Sequence, residues 1–597
     1  MPHQLNRQER TMIGIATPGS GSPVLDAAAR ILARELHERF GTDTQPVSSA
    51  EGNGPTIVLS TIADLPEEGF RIRPASGGGV HIEGGDARGV LYGCGRFLRG
   101  CRLGPRGIQF PASEISSSPG KPIRGIYFAV HMHNTYHVAP TEDVTRYIEE
   151  LALWGINTIA VYYHMFHYKG IDDPAACAFI DRLNAIFEAA RAVGMKTLVL
   201  VTANDAYLNS PEPLRYVGDV PRNWGTELCP SKPAARELLL KQFREAFERF
   251  PDVDYLNIWP YDSGGCLCDT CAPWGVKGLY PIAEEIARAF RETHPQGKVV
   301  LSTWYFDYNC GEWGEWETFF DKNGSGELEW VDLVMADGAY VNGYFPRQLL
   351  EHPISKPVIG FLEISMRTGT PWGSFGANPM PGHIASEWAR MKDTIQGGTP
   401  YSEGIFEDVN KVLWAQLCWD PDRGVDAILE EYAAYEFSPD CAGEVARALR
   451  GMEEVGRREP IAEGTNEIVL KDTTQIDGVW AAIDAVDRAL PLERRTSWRW
   501  RLVFLRASID VELKRSNGTP TPGLGRAYDE LFRLYGLDED AMWFVRPYEV
   551  VWQQDTNGER ELHFLQRGKQ IGEICHFRAA QHEEAAVLPT GRTGPVG

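Results

Sequence analysis

The stretch GIYFAVHMHNTYHVAPTEDVTRYIEELALWGINTIAVYYH, residues 125–164, decides the fold. It opens with GIYFAV (125–130), an apolar run with the length and composition of a buried strand. Residues 141–154 then place apolar side chains on one helical face, with Thr141 read as the N-cap and Gly155 as the stop. A second apolar run, TIAVYY (158–163), follows at once. Strand, helix and strand joined in this way form a βαβ unit with parallel strands.

The same alternation continues outward. TLVLVT (197–202) and YLNIW (255–259) are the third and fourth strands, and runs at 299–304, 333–336 and 358–362 are the next three. Residues 404–406 are read as the eighth. Helical patterns at 177–193, 232–250, 280–293 and 410–417 fall between or after them. The fold class is therefore α/β, with a (β/α)₈ barrel over residues 121–424. Before it, residues 1–120 alternate short strands (12–17, 56–61, a hairpin at 70–74 and 79–82) with helices at 24–40 and 84–99, a small α/β domain. The polar run ISSSPGK (115–121) links the two. From 425 to 597 the pattern is mostly helical, with candidates at 428–437, 444–455, 479–490, 497–513 and 524–535.

Composition narrows the function. The 597 residues carry 59 Lys+Arg against 82 Asp+Glu, a net charge of -23. That balance argues against nucleic acid or an anionic membrane as the partner. Aromatic content is 11%, from 17 Trp, 22 Tyr and 25 Phe, and an acidic, aromatic-rich chain suits carbohydrate. The first residues, MPHQLNRQERTMIG, contain no long apolar core, and no window approaches a membrane span of ~20 apolar residues. A cytoplasmic protein with mostly reduced thiols among its 11 cysteines is the expectation.

Barrel sites form where the strands end, so the residues just past each strand are the candidates. Strand one is followed by His131, His133, Asn134 and Tyr136, and strand two by His164 and His167. Strand three leads to Asn204 and Asp205, and strand four ends on Trp259, Tyr261 and Asp262. Past strand five come Trp304, Tyr305 and Asp307, and past strand six Asp337 and Tyr340. Strand seven is followed by Glu363, Arg367 and Trp372, and the eighth is bracketed by Glu403 and Asp408. Apolar strands with acidic, imidazole and aromatic exits mark a pocket.

That mixture fits sugar chemistry. Aromatic faces stack on sugar C–H faces, while Asn, His and Arg hydrogen-bond the hydroxyls. Two carboxyls can then cleave a glycosidic bond, one protonating the leaving oxygen and the other acting as nucleophile or activating water. Asp262, among Trp259, Tyr261 and a Gly264-Gly265 turn, is read as the proton donor, with Glu363 or Asp337 as its partner and Glu403 as a fourth candidate. No catalytic cofactor is needed. Two other readings stand beside this one. His131 and His133, which share a face, could join His164, His167, Asp205 and Glu363 around a divalent metal for sugar isomerisation or a lyase step. A non-catalytic carbohydrate-binding protein is the third. Separately, Cys266, Cys268 and Cys271 could hold a structural zinc with a fourth ligand from Cys229 or Cys310, or could be unligated thiols. The helical domain could supply a homo-oligomer interface.

GGDARGVLYGCGRFLR (84–99), DSGGCLCDTC (262–271) with ELCPSKP (227–233) upstream, and YSEGIFEDVNKVLWAQLCWDP (401–421) carry a resemblance. The layout resembles the family 20 β-hexosaminidases and the family 67 and 115 α-glucuronidases, which set a small α/β domain before a barrel. The resemblance implies an exo-acting glycoside hydrolase that removes a terminal uronic acid, amino sugar or neutral sugar. Family 20 enzymes carry an Asp-Glu pair after strand four, whereas this chain reads Tyr261-Asp262-Ser263. The α-glucuronidase pattern, an acid after strand four and carboxylates on later strands, matches Asp262 with Asp337 or Glu363 better. A uronic acid would need a cation, and Arg367 and Lys411 are the candidates.

Overall fold

The computed structural model describes residues 12–18, 21–48, 55–104, 107–130, 135–218, 226–261, 264–307, 314–337, 345–365, 377–455, 458–460, 467–470, 475–516, 521–534, 548–554, 560–566, 569–579 and 586–589. Its centre is a closed parallel barrel. Strands Ile123–Phe128, Thr158–Tyr162, Lys196–Thr202, Tyr255–Trp259, Lys298–Ser302, Leu333–Asp337, Val358–Phe361 and Ile395–Gly398 follow one another in chain order around it. Helices cover the outside and side chains fill the inside, so strands one and two are buried throughout and carry unbroken apolar runs. The helix after strand one, Thr141–Leu153, has Pro140 rather than Thr141 at its N-cap. Thr141 instead accepts a hydrogen bond from Arg182 at 3.1 Å.

The eighth strand lies earlier than residues 404–406. It is Ile395–Gly398, followed by the short piece Tyr401–Ser402, and both pair with strand one. Closure brings backbones too close for side chains. Gly397 has φ +96°, and a Cβ there would lie 1.7 Å from the Ile123 carbonyl oxygen. A Cβ on Gly398 would lie 2.0 Å from the Gly360 carbonyl oxygen. Glycine is what this seam requires, and glycine erases the apolar signal that marks the other strands.

Before the barrel, a six-stranded sheet runs in the order Thr44–Val47, Ile13–Ala16, Thr56–Thr61, Val80–Gly84, Phe70–Pro74, Ile115–Ser117. The expected hairpin is present as the antiparallel pair Phe70–Pro74 and Val80–Gly84. The Ser-rich linker begins inside this sheet, because Ile115–Ser117 is its edge strand. Arg124, fully buried in barrel strand one, ties the small domain to the barrel floor: it bonds the Gly155 carbonyl at 2.7 Å and Glu68 at 2.8 Å.

After the barrel come helices Val425–Glu436, Ala442–Val455, Gln475–Ala489, Trp498–Arg515 and Pro522–Leu534. Beyond them lie antiparallel strands that the sequence pattern did not reveal: Tyr548–Gln554, Arg560–Gln566, Lys569–Ala579 and Ala586–Pro589, in one sheet with Arg458–Pro460 and Glu467–Leu470. No described helix is long and apolar enough to cross a membrane.

Candidate active site

Strands seven and eight build the best-defined part of the site. Side chains two apart on a strand share a face. Phe361 and Glu363 are two apart, as are Tyr401 and Glu403. Glu363 bridges to Tyr401 in parallel register. The result is two layers. Phe361, Tyr401 and Tyr127 of strand one form the lower, with ring centroids 5.5–6.1 Å apart. Glu363 and Glu403 stand above it. Trp259, at the end of strand four, extends the aromatic layer to Phe361 at 5.2 Å and stacks on Trp304 at 4.9 Å. Both indole N–H groups are buried and have no hydrogen-bond partner among the described residues.

The carboxyls are held individually. Glu363 accepts the Ser365 N–H at 2.5 Å. Glu403 accepts the Tyr401 hydroxyl at 2.9 Å. The Ser365 hydroxyl lies 3.5 Å from Glu403 and bonds Glu407, so one serine touches all three acids. Burial, and then the charge of Glu407, push the Glu403 carboxyl up to about 7. Glu407 is steadied by Lys411 at 3.7 Å. Burial lowers the Lys411 ammonium to about 8 against the pull of Glu407 and Asp408.

A closed parallel barrel with paired carboxyls above an aromatic floor invites comparison with carbohydrate enzymes. The chain shares its fold with glycoside hydrolases. It matches a family GH115 4-O-methyl-α-glucuronidase with specificity for decorated arabinogalactans at TM-score 0.57 and 14% identity, over 87% of this chain and 75% of that one. It matches a GH138 enzyme targeting pectin rhamnogalacturonan II at TM-score 0.55 and 12% identity, over 89% of each chain. A family 89 glycoside hydrolase from Clostridium perfringens matches at TM-score 0.53 and 12% identity, over 87% of this chain and 65% of that one. No protein-family model and no curated protein sequence matches the chain.

Within this glycoside hydrolase fold, the other sequence candidates divide by environment. Tyr305 and Asp307 follow Trp304 with φ of 60° and 55°, a bend that lays the Trp304 ring over Trp259. The Asp307 carboxylate accepts the N–H groups of Glu315 and Trp316, both at 3.1 Å, and so holds the start of helix Glu315–Ser325. Tyr261 donates to Glu315, whose carboxyl also takes the N–H of Gly275 and Asp307. Glu315, unnoticed in the sequence, thereby pins the exits of strands four and five together. Asn204 spends its amide on both sides of the Gly265 peptide, at 2.9 Å each, and on the Leu228 carbonyl.

Further residues lie deeper. Tyr136 is fully buried, stacked on Phe128 and bonded to Ser402 at 2.7 Å. Asp408 turns outward from the barrel, to Tyr147, Tyr432 and Arg499 at 2.7–2.8 Å. Burial would raise its carboxyl, but Arg499 holds it below the usual range. Lys411 is fully buried and held by Glu407, the Tyr147 hydroxyl and the Gly404 carbonyl. His164 is buried with its ring 4.5 Å from that of the exposed His167. Asp205 caps the strand-two exit by accepting the Met165 N–H at 2.7 Å, and bridges through its backbone to the buried Glu227. Asp262, His131, His133, Asn134, Tyr340, Arg367 and Trp372 lie outside the described residues, as does the side chain of Asp337.

The sequence candidates omit Tyr127 and Phe361, which fall inside strands, Tyr401, which precedes the segment read as the eighth strand, and Ser365; Glu407 stands among the residues just past that segment. The two-residue spacing of Phe361 from Glu363 and of Tyr401 from Glu403 was the available signal.

Proposed function

We propose that this chain is an exo-acting glycosidase that cleaves a terminal sugar by a two-carboxylate mechanism. One observation carries the reading: Glu403, buried over an aromatic layer beside Glu363, keeps its proton close to neutral pH. A carboxyl of that kind can protonate a departing glycosidic oxygen. The sequence alone gave the donor role to Asp262; the surroundings of Glu403 favour Glu403 for it. Asp262 then becomes the ionised partner, nucleophile or base. Its strand, the fourth, stands across the barrel from the eighth, and an acid and its partner must flank the anomeric carbon. Glu363 is the alternative partner and otherwise binds a sugar hydroxyl. Trp259 and Trp304 offer stacking faces and two donor N–H groups to the ring.

Glu403→Gln tests the assignment. Loss of the proton donor should hurt substrates with poor leaving groups far more than aryl glycosides whose leaving group departs without protonation. Equal losses on both classes would remove Glu403 from the donor role. Aryl uronides, hexosaminides and neutral glycosides together form the substrate panel. Product stereochemistry then reports the carboxyl separation, with ~5–5.5 Å for retention and roughly 6.5–9.5 Å for inversion.

A further inference from the structure

The four sulfurs of Cys229, Cys266, Cys268 and Cys271 lie within 4.8 Å of one another. Cys229 Sγ is 3.7 Å from Cys268 Sγ and 4.0 Å from Cys271 Sγ. A tetrahedron of thiolates around zinc, with Zn–S near 2.3 Å, has edges of about 3.8 Å. A disulfide would need sulfurs at about 2.05 Å, and all four thiols are free. Three of the four residues are buried, and Cys268 is half-buried. The Cys271 N–H donates to the Cys268 carbonyl at 3.0 Å, a turn that brings these cysteines together. The Ser231 hydroxyl lies 3.0 Å from Cys229 Sγ and 3.4 Å from Cys268 Sγ. Donors directed at sulfur are what a thiolate ligand set needs around it. Cys310, the other candidate for fourth ligand, lies outside the described residues.

We propose that these four cysteines bind one structural zinc ion that clamps the exit loop of strand three to that of strand four. A closed four-sulfur set leaves no position for substrate or water, so the ion is structural. The clamp acts on the loop that carries Asp262. Cys229 belongs to the segment after strand three, and the other three cysteines follow Tyr261 and Gly264-Gly265. The two loops otherwise meet through Asn204 on Gly265 and through the Leu267 N–H on the Val217 carbonyl at 2.8 Å. Neighbouring interactions continue the brace, with Trp274 Nε1 donating to the Pro260 carbonyl at 2.8 Å. Burying four cysteines together without a metal would leave weak donors facing weak acceptors, whereas Zn²⁺ takes all four as ligands.

Elemental analysis of the full chain after dialysis tests the proposal independently of any enzymatic activity. The expected result is roughly one zinc per chain. Removing it with a strong chelator should lower the midpoint of thermal unfolding, and zinc alone should restore it. Cys229→Ser should weaken zinc binding by more than about 100-fold. Should that variant fail to fold, cobalt exchange into the unaltered chain gives a second reading: the visible bands of a tetrahedral cobalt–tetrathiolate site. Folded protein without zinc, as purified and after zinc addition, with all four thiols open to thiol reagent, would overturn the proposal. Stoichiometric iron in place of zinc would overturn it as well. Zinc that survives in Glu403→Gln and Glu363→Gln separates this site from the glycosidase reading, because either can then fail alone.

Discussion

The Tyr401 hydroxyl donates to Glu403 at 2.9 Å, from two residues earlier in the chain. Tyr401 also sits in the aromatic layer and bridges to Glu363. One residue thus joins the apolar floor, which suits a sugar ring, to both acids above it.

The pH dependence follows from Glu403. Its carboxyl is raised from 4.5 to about 7, by burial first and by Glu407 second. The protonated form donates, so kcat should fall as pH rises through about 7. Glu407→Gln removes the neighbouring charge and should move that falling limb to lower pH. The sign for stability is the same: the folded state holds the proton more tightly, so stability is fully present below pH 4.5 and is lost as pH rises through about 7. That loss amounts to roughly 3 kcal/mol at 1.36 kcal/mol per unit, and Glu403→Gln should abolish it. Denaturant unfolding across this pH range is the check.

Trp304 contributes a face and an N–H. Trp304→Phe keeps a ring over Trp259 but removes the donor that has no partner among the described residues. Losing one hydrogen bond of about 1 kcal/mol should raise KM several-fold, with a small effect on the unfolding midpoint. A collapse in stability with unchanged KM would make the indole a packing element alone.

Asp408 and Arg499 bind the barrel to the helices behind it. Arg499 meets Asp408 and Glu150, both at 2.8 Å, and all three residues are buried. Arg499 keeps Glu150, but Asp408→Ala removes the acceptor of the buried Tyr147 and Tyr432 hydroxyls and of one edge of the guanidinium, so it should cost about 3 kcal/mol in denaturant unfolding. The falling limb of the pH profile should not move, because Glu407, Tyr401 and Ser365, and not Asp408, are the side chains that act on the Glu403 carboxyl.

Gly397 is intolerant of a side chain. Its φ of +96° and the 1.7 Å approach of a Cβ to the Ile123 carbonyl mean that Gly397→Ala cannot close the barrel unchanged. The expected loss exceeds about 4 kcal/mol, read from soluble yield and thermal unfolding.

The first seven barrel strands were legible because burial on both faces leaves continuous apolar runs. The eighth was not, since Gly397 and Gly398 serve backbone approach rather than packing. Glu363 and Glu403 stood out by position after apolar or aromatic segments. The raised proton affinity of Glu403 was not legible, because it depends on burial in the closed barrel and on Glu407. The partner of Lys411 was not legible either, since Tyr147, whose hydroxyl accepts from its ammonium at 3.0 Å, comes from a helix and stands 264 residues earlier. Cys229 was one of two options until the strand-three loop placed it among the other three cysteines. The strands after residue 547 escaped notice because the helical pattern before them set the expectation.

The central claim is a glycosidase with Glu403 as proton donor. It is tested most directly by hydrolysis of a panel of glycosides, each sugar presented with an activated aryl and an unactivated alkyl leaving group, by the unaltered chain and by Glu403→Gln. The account predicts cleavage of at least one sugar by the unaltered chain, and in Glu403→Gln a loss of about 10²–10⁴-fold on the alkyl glycoside with most activity kept on the aryl one. Full activity of Glu403→Gln on the alkyl glycoside would contradict it, as would a chain that binds these sugars and leaves every one intact.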